Sequence, residues 1–587
     1  MREVQLTAPP AESKLDVRAI LGALRSRCTS EAFFERWLPQ AYADPAAFER
    51  ALYEHLATRR AGLKTRAGEP VDFYYDCVVA HLGRGRPALI GLDRGVVRSL
   101  TFEALHEACS ALLVAWRRAG VTAGQTLYLG LELGRDYLVA LMTALRAGLI
   151  VCPVPPYGPS FVRYRLQQLR TDWAILPGRM AELLIALRSG DEALTTESLP
   201  LSADRGFTSP DTYSYAPDES ALRCLAIHGE EAFLPCDISA RRVHAALVRD
   251  SSIVLALDQD DVLAAPALDA LVHQPMLVLS AMLAGAAFVA LPLEDVLHAP
   301  ERLGEVGVTV LGVGTSLRRV IEARGAWPFS TVRAWFRCLT SELDWTSWDN
   351  LSRWSAKLGI PSFNVAFANT APGGLLFGPA RAEPLNFSAW PVPGPPFVLT
   401  EVLGGSLEAL ADTGVYSPMN GDEPVPGIPR LTLTRQANNY LSSGALELGP
   451  EAQRYPIEEA SRVLQHVPGV RYASVVVSAG RPINSAQITW LLFTDVQPDD
   501  PTRPVIADVR RFFEREMGTP FLPQRIEMFS LRPRTLPPKT GTETGSVIHG
   551  WCRSQYLSGS LTAKERSEVF RLLSRLSYLF DSELSED

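Results

Sequence analysis

One lysine near the end of the chain, Lys539, stands in a segment that could carry out chemistry. The segment is RPRTLPPKTGTETG, residues 532–545, and it combines prolines with two glycines. This composition is too irregular for a helix or for the interior of a strand. An ammonium group on a loop can stabilise negative charge that develops during a reaction, or it can be a solvated charge on a turn. The segment alone leaves both interpretations open.

The residues from 100 to 156 predict a β-α-β unit, in which a helix joins two parallel strands. Thr101 is suited to cap a helix that carries Leu105 and Leu112 on one face, and Gly120 is suited to end it. The segments that follow predict a strand (QTLYLGLE), a second helix (RDYLVALMTALRAG) and a second strand (LIVCPVPP). We therefore expect an α/β fold in which helices cover a parallel sheet.

The rest of the chain divides by composition. Residues 252–320 repeat the alternation, with MLVLSAMLAGAAFVALP as a helix and a strand and VTVLGVG as the next strand. Residues 372–430 are rich in Pro and Gly, which suits short strands joined by turns. Beyond them, RYASVVV and SAQITWLLFTDV predict strands and PVIADVRRFFEREMG predicts a helix. This order indicates a small α+β domain at the C-terminal end.

Composition and charge narrow the classes of function. Of 587 residues, 47% are apolar, and 57 basic against 65 acidic side chains give a formal net charge of -8. No dense basic run is available to neutralise phosphates, so nucleic acid is not expected as a partner. The N-terminus lacks the pattern of a secretory signal, and no stretch has the roughly 20 apolar residues that span a bilayer. We expect a soluble, cytoplasmic protein without a membrane span.

In their order along the chain, these segments resemble the acyl-adenylate-forming superfamily: acyl-CoA synthetases, fatty acyl-AMP ligases and the adenylation domains of peptide synthetases. The resemblance covers roughly residues 75–545. It depends on the β-α-β unit, on MLAGAAFVALP, and on the succession from RYPIEEASRVLQHVPGVRYASVVV to RPRTLPPKTG. It implies a large N-terminal α/β domain, a small α+β C-terminal lid and two half-reactions. A carboxylate and ATP form an acyl-AMP, and a thiol or amine then displaces AMP.

The resemblance implies roles for three residues. RTLPPK spaces Lys539 from Thr535 as in the family's R-T-P-S-G-K turn, which implies a lysine that bridges the attacking carboxylate and the α-phosphate. NGDEP resembles the family's T-G-D segment, in which Asp422 would accept hydrogen bonds from ribose hydroxyls. Arg435, in LTLTRQANNY, falls where the family's G-R hinge segment has its arginine. Asp422 is equally typical of an Asx-turn, and Arg435 of a surface strand.

The stretch that should hold the triphosphate departs from the family. The family's loop is T-S-G-T-T-G-x-P-K-G, whose glycines permit close backbone approach and whose hydroxyls and lysine complement phosphate. The corresponding stretch here is LAIHGEEAFLPCDIS, with Gly229 as its one glycine, no lysine, and Glu230 and Glu231 where phosphates would lie. Two carboxylates next to a polyanion are repulsive by about 1 kcal/mol each at short range. We expect this degenerate phosphate loop to bind a triphosphate poorly.

The segment that corresponds to the family's metal-binding segment also lacks a group that the family uses. The family's Y-G-x-T-E segment, whose glutamate helps to hold Mg2+, corresponds to FANTA, where Thr370 is retained and Ala371 replaces the acid. A hard divalent cation needs oxygen ligands, and alanine has none. The eight cysteines show no metal-ligand spacing. We assign no metal ligands, and we expect ATP, AMP and Mg2+, the cofactors that the resemblance implies, to bind weakly.

The predicted organisation has four parts. They are a helical N-terminal extension (residues 1–70), an adenylate-forming N-terminal domain (71–435), a C-terminal lid (436–558) and an amphipathic helical tail (559–587). In the extension, Asp44 and Pro45 predict a helix start. In the tail, one apolar stripe is predicted from Val569, Phe570, Leu573, Leu576, Leu579 and Phe580. Each terminal stripe packs on its own domain or forms an interface with a second subunit or an active ligase.

Three functions fit these features. The first is a pseudoenzyme that is degenerate for ATP-dependent acyl adenylation and serves as a partner subunit in an acyl-activation or biosynthetic complex. The second is an active but atypical acyl-AMP or acyl-CoA ligase, or a transferase that uses a preformed acyl-adenylate, with Lys539 as the reaction lysine. The third is a binding module for an acyl or aryl carboxylate. The lost loop and Ala371 favour the first, and the retained Asp422, Arg435 and Lys539 favour the second.

Overall fold

The structure is a computed structural model that describes part of the chain. The described residues are 45–59, 63–93, 96–190, 195–201, 211–228, 232–266, 275–338, 345–368, 371–381, 388–389, 398–401, 413–420, 423–424, 431–436, 439–442, 455–479, 486–494, 504–535 and 547–567.

Helices occur throughout these ranges, and none of those described is long and apolar enough to cross a bilayer. In chain order they are α1 Pro45–Arg59, α2 Phe73–Cys77, α3 Phe102–Arg118, α4 Arg135–Ala147, α5 Pro159–Leu169, α6 Gly178–Gly190, α7 Ala240–Arg249, α8 Met276–Ala284, α9 Leu293–His298, α10 Arg302–Glu305, α11 Thr315–Arg324, α12 Trp345–Lys357, α13 Ile457–Gln465, α14 Ile506–Met517, α15 His549–Leu557 and α16 Ser560–Arg566.

The strands form four sheets. In chain order they are β1 Pro87–Asp93, β2 Val96–Thr101, β3 Thr126–Leu129, β4 Ile150–Pro153, β5 Trp173–Ile175, β6 Glu197–Ser198, β7 Ser220–His228, β8 Ala232–Ser239, β9 Val262–Ala264, β10 Ala287–Ala290, β11 Val310–Gly312, β12 Ala334–Cys338, β13 Ser362–Ala368, β14 Ala371–Arg381, β15 Ser388–Ala389, β16 Val398–Glu401, β17 Thr413–Asn420, β18 Glu423–Pro424, β19 Leu431–Gln436, β20 Asn439–Ser442, β21 Tyr472–Ala479, β22 Ala486–Phe493 and β23 Arg525–Phe529.

The first sheet has the order β6-β5-β3-β4-β7-β8 and contains the predicted β-α-β unit. The Oγ1 of Thr101 accepts a hydrogen bond from the backbone N–H of Ala104, which caps α3, and Gly120 follows the helix with a φ of +94°. Strands β3 and β4 pair in parallel, with α4 between them in sequence. The unit predicted from capping and periodicity is confirmed.

The second sheet has the order β14-β13-β12-β11-β9-β10-β1-β2, and its central strands are parallel. The segments predicted as MLVLSAMLAG and AAFVALP form α8 and β10. Every residue of α8 is buried, as expected for a helix that is apolar all round. Side chains from the first sheet, such as Leu127 and Val151, and from the second, such as Leu89 and Phe288, belong to one core. The predicted α/β class is confirmed.

The third sheet is made of short strands and follows the Pro/Gly-rich composition. Its order is β15-β20-β19-β17-β16, with β18 paired to β17. Neighbouring strands are antiparallel, and β15, the first of these strands in sequence, pairs with β20, the last. The prediction of short strands is confirmed for the residues that the structure describes here, and the segments that join them lie outside those residues.

The last sheet belongs to residues 455–479, 486–494, 504–535 and 547–567, here called the C-terminal unit. Strands β21 and β22 are antiparallel, and β22 and β23 are parallel. One face, with Val475 and Trp490, packs under α13 and α14; the other, with Val476 and Leu491, packs on Cys552 of α15. Helix α16 ends at Arg566, because Ser567 has extended backbone. The predicted tail helix therefore breaks there, and its apolar stripe lies outside the described residues.

Helix α1 is attached to the main body by a chain of buried polar groups. The Nδ1 of His244 lies 2.8 Å from the hydroxyl of Tyr53, and its Nε2 lies 3.1 Å from a carboxylate oxygen of Asp76. The backbone N–H groups of Lys64 and Thr65 also donate to Asp76. Burial alone raises the pKa of Asp76, but these hydrogen bonds and His244 outweigh it and leave that pKa lowered. Buried polar partners from three elements thus hold the N-terminal helix in place.

A buried carboxylate joins the amino ends of three parallel strands. Asp261, just before β9, accepts hydrogen bonds from Arg333 Nε at 2.8 Å and Nη2 at 2.7 Å. Thr309 Oγ1 and the backbone N–H of Asp258 donate to it at 2.7 Å each. Burial raises the pKa of Asp261, but the hydrogen bonds and charge of Arg333, with those two donors, outweigh burial and lower it.

This arrangement predicts a loss of stability in acid. Because the folded pKa of Asp261 lies below its ordinary value of 3.8, its contribution is complete above that value and is lost as the pH falls through the folded pKa. Denaturant unfolding of Asp261→Asn should show lower stability at neutral pH and a shallower acid dependence than the native chain. Asp260→Asn is the control, because Asp260 is 77% exposed. Equal pH profiles for all three proteins would contradict this role.

Candidate functional site

The predicted phosphate segment lies at a very short connection between two paired strands. Strands β7 and β8 are antiparallel and pair as far as His228 and Ala232, which leaves three residues between them. In the body of the hairpin, Arg223 and Asp237 form a two-point ion pair, with Nη2 to Oδ2 at 2.8 Å. The three residues, Gly229, Glu230 and Glu231, lie outside the described residues. The bounds of the two strands nonetheless leave no room for a longer loop.

The predicted metal segment lies at a second short connection. Strand β13 ends at Ala368, and Ala371 opens the antiparallel strand β14 as its direct pairing partner. Two residues, Asn369 and Thr370, separate them, and both lie outside the described residues. Ala371 occupies the first strand position. Within the described ranges, no group of three or more His, Cys, Asp or Glu side chains could hold a metal ion.

The segments of Asp422 and Arg435 both belong to hairpins of the third sheet. Asn420 of β17 pairs with Glu423 of β18, so Asp422, which lies outside the described residues, is one of two residues between them. Such a Gly-Asp pair is typical of a two-residue hairpin turn. Arg435 lies in β19 and pairs with Tyr440 of β20. Both interpretations of Asp422 therefore stay predictions.

Lys539 lies outside the described residues, but the base of its segment is described. Thr535 and Val547 form an antiparallel bridge, and the N–H of Ile548 donates to the carbonyl of Arg534 at 3.0 Å. Both bridge residues are buried, and Val547 belongs to the apolar cluster on the outer face of the C-terminal sheet. The segment that carries Lys539 is therefore closed at its base. Its exposure and its role stay predictions.

Solved structures of similar fold extend over most of the chain. The o-succinylbenzoate CoA synthetase of Bacillus subtilis has a TM-score of 0.59 and 13% identity, covering 83% of this chain and 98% of that one. The acetoacetyl-CoA synthetase of Streptomyces lividans has a TM-score of 0.60 and 14% identity, covering 96% and 97%. An artificially fused adenylation-PCP di-domain from Klebsiella oxytoca has a TM-score of 0.59 and 15% identity, covering 78% and 94%. No protein-family model and no curated protein matches the sequence.

The chain has the adenylate-forming fold. At such low sequence identity the likeness concerns the fold alone, and the chemistry depends on the residues of this chain. The described residues bring none of the predicted site residues into side-chain contact with one another, since only Arg435 lies within them, in the strand β19. The adenylate-forming fold is thus present, and the assignment of a nucleotide site to these segments stays a prediction.

The pairing of β19 and β20 also bears on the predicted division of the adenylate-forming fold. The boundary predicted after Arg435 falls inside this hairpin, and β20 pairs both with β19 and with β15. A hinge within TRQANNYL would have to separate paired strands. The division after Arg435 stays a prediction.

Sequence reasoning missed the polar residues that join the C-terminal unit to the first sheet. Arg165 of α5 donates to Glu459 of α13 at 2.6 Å, and both side chains are buried. The two residues are 294 positions apart, and no motif connects them. The short hairpin between β7 and β8 did leave a signal, because apolar runs stand on both sides of the short polar stretch HGEE.

Proposed function

We propose that this protein is a pseudoenzyme of the adenylate-forming fold, without ATP-dependent acyl adenylation, that serves as a partner subunit in an acyl-activation or biosynthetic complex. The observation that supports the proposal is the pairing of β7 and β8 as far as His228 and Ala232, which leaves three residues between the strands within the stretch that corresponds to the family's phosphate loop. A triphosphate needs several converging backbone N–H groups and cationic side chains. A turn of this length offers few N–H groups, and its side chains include two carboxylates.

The metal segment supports the same proposal. Mg2+ in phosphoryl-transfer sites is bound by one or two carboxylates together with the phosphates. Ala371 supplies no carboxylate where the resemblance implies one, and it stands at the start of a paired strand. Neither of the two groups that neutralise the triphosphate is therefore provided by the segments that should provide them.

The partner role has a separate basis. A fold that no longer performs its reaction needs another function, and the amphipathic stripe in residues 569–580 is a sequence feature suited to an interface. This stripe lies outside the described residues, so a protein partner or a homodimer is a proposal from the sequence. Acyl or aryl carboxylates and acyl-adenylates are the small molecules that a remnant of the site would accept.

The proposal predicts that the purified protein does not catalyse carboxylate-dependent ATP-pyrophosphate exchange. Across a panel of fatty and aromatic acids, exchange should equal that of a Lys539→Ala variant, because the groups that hold the triphosphate are absent. Titration calorimetry should likewise show no binding of ATP with Mg2+. Exchange above the variant's level would overturn the pseudoenzyme proposal. Binding of an acyl-AMP without ATP binding would support it and would identify the ligand class.

A further inference from the structure

The C-terminal unit and the first sheet share one buried apolar cluster. From the first sheet and its helices it includes Tyr128, Cys152 and Phe161, and from the C-terminal unit it includes Phe513 and Phe521. All of these side chains are almost completely buried. The contact is therefore built like the interior of a domain and not like a surface that opens to water.

Aromatic rings meet directly across this contact. Phe161 of α5 stacks on Phe521 of the C-terminal unit, with ring centroids 5.3 Å apart, and Tyr157 meets Phe521 edge-on at 5.8 Å. Full burial of an aromatic side chain is one of the larger single contributions to the stability of a protein. Exposing Phe161, Tyr157 and Phe521 together would remove a substantial part of the stability that a domain has. Thermal opening of the contact should therefore be rare.

A buried ion pair fixes the register of the contact. Arg165 and Glu459 are 1% and 9% exposed, and their nitrogen and oxygen lie 2.6 Å apart. Gln168 of α5 donates to the same carboxylate oxygen at 3.0 Å, and the guanidinium of Arg165 lies 4.6 Å from the ring centroid of Phe161. A buried pair adds little net stability, but displacing one partner leaves a buried charge uncompensated. Sliding of the two surfaces past each other is thereby penalised.

The backbones approach so closely that one position requires glycine. A Cβ on Gly158, just before α5, would lie 2.1 Å from the carbonyl carbon and oxygen of Glu516 and 2.5 Å from the nitrogen of Met517. The φ of Gly158 is -102°, so packing and not backbone conformation excludes a side chain. Ser160 Oγ also donates to Glu516 Oε2 at 2.8 Å. The end of α14 thus lies directly on the start of α5.

We propose that the C-terminal unit is permanently docked on α5, so that this adenylate-forming fold is a single rigid body and has no mobile lid. The shared core supplies the stability, the ion pair sets the register, and Gly158 permits the close approach. The base of the segment that carries Lys539, at Thr535 and Val547, then keeps a constant distance from the first sheet. The inference goes beyond the proposed function and does not depend on the phosphate hairpin.

Distance measurement between spin labels tests the rigid docking. Glu107→Cys on α3 and Arg511→Cys on α14 place labels at two exposed positions, one in each part. Pulsed electron resonance on the full chain should give one narrow distance distribution that ATP with Mg2+, AMP or an acyl-adenylate leaves unchanged. The native chain treated with the same reagent controls for its own cysteines. A second distance population, or a shift on adding any of these ligands, would overturn the inference.

A pair of glycine substitutions in the labelled protein tests whether the close approach at Gly158 is needed for the docking of the C-terminal unit. Gly158→Ala should broaden the distance distribution or add a second distance, because the methyl group cannot fit against Glu516. Gly178→Ala, at the start of α6, should leave the distribution unchanged, since nothing lies within 4 Å of the added carbon. Equal distributions for both variants would show that Gly158 does not lie against α14. The two proposals can fail separately. ATP-pyrophosphate exchange by the native chain would overturn the pseudoenzyme proposal, but it would not change the distances between the labels.

Discussion

Replacing Glu459 by alanine should destabilise the protein by about 3–5 kcal/mol, because the guanidinium of Arg165 is left buried without its carboxylate. Arg165 is 1% exposed, so water cannot replace the lost partner without opening the contact between α5 and α13. The measurement is the midpoint of denaturant unfolding, compared at an unchanged slope. Loss of this size from one substitution would be exceptional for a surface site and typical of a buried charge.

The neighbouring residue provides a matched control for this prediction. Glu458 has the same chemistry but is 42% exposed, and it forms an i, i+4 pair with Arg462. Glu458→Ala should therefore cost less than about 1 kcal/mol. A double variant, Arg165→Met with Glu459→Leu, should recover most of the stability, since it removes both charges and keeps apolar volume. Equal losses for the two single alanine variants would show that Glu459 is not buried against α5.

Replacing His244 by alanine should cost about 3 kcal/mol or more, because two buried polar groups lose their partner at once. The carboxylate of Asp76 loses the Nε2 donor, and the hydroxyl of Tyr53 loses Nδ1. The imidazole also packs on the rings of Tyr53 and Phe73, with centroids 5.6 Å and 5.7 Å away, so a cavity is left as well. Denaturant unfolding measures the loss.

The control for this second prediction is an exposed histidine. His298 makes a hydrogen bond to the carbonyl of Glu294 at the surface, and His298→Ala should change stability by less than about 0.5 kcal/mol. Limited proteolysis adds a local measurement, since α1 is held by Tyr53 and should be cleaved earlier in the His244 variant. If α1 were cleaved at the same rate in both variants, its docking through His244 would be refuted.

The elements that sequence reasoning predicted well are those whose signals are local. Thr101 and Gly120 marked the ends of α3, and apolar runs with glycine stops marked α8 and β10. The four-part organisation used composition, helical periodicity and the resemblance at Arg435, and none of these reports which strands pair. The hairpin that joins β19 to β20 across the predicted boundary depends on cross-strand hydrogen bonds, for which the sequence has no local signal.

For the candidate site, sequence reasoning identified which residue types differ from the family's motifs, but it did not predict how the neighbouring strands pair. The absence of lysine and the presence of Glu230 and Glu231 were evident from residue types. The pairing of His228 with Ala232 was not evident from the sequence, because strand register depends on contacts along both strands. The ion pair of Arg165 and Glu459 could not be predicted for a related reason. Charged residues are usually exposed, and nothing in the sequence indicates that two of them so far apart are buried together.

The connection between β7 and β8 finally bears on whether nucleotide chemistry could return to this chain. New side chains at Gly229, Glu230 and Glu231 would change the charge of this connection, but the backbone on either side is already paired as far as His228 and Ala232. Backbone N–H groups that bond to a neighbouring strand are not available to a phosphate. Under the proposed function, regaining nucleotide chemistry would therefore require the outer strand pairs to separate as well as the side chains to change.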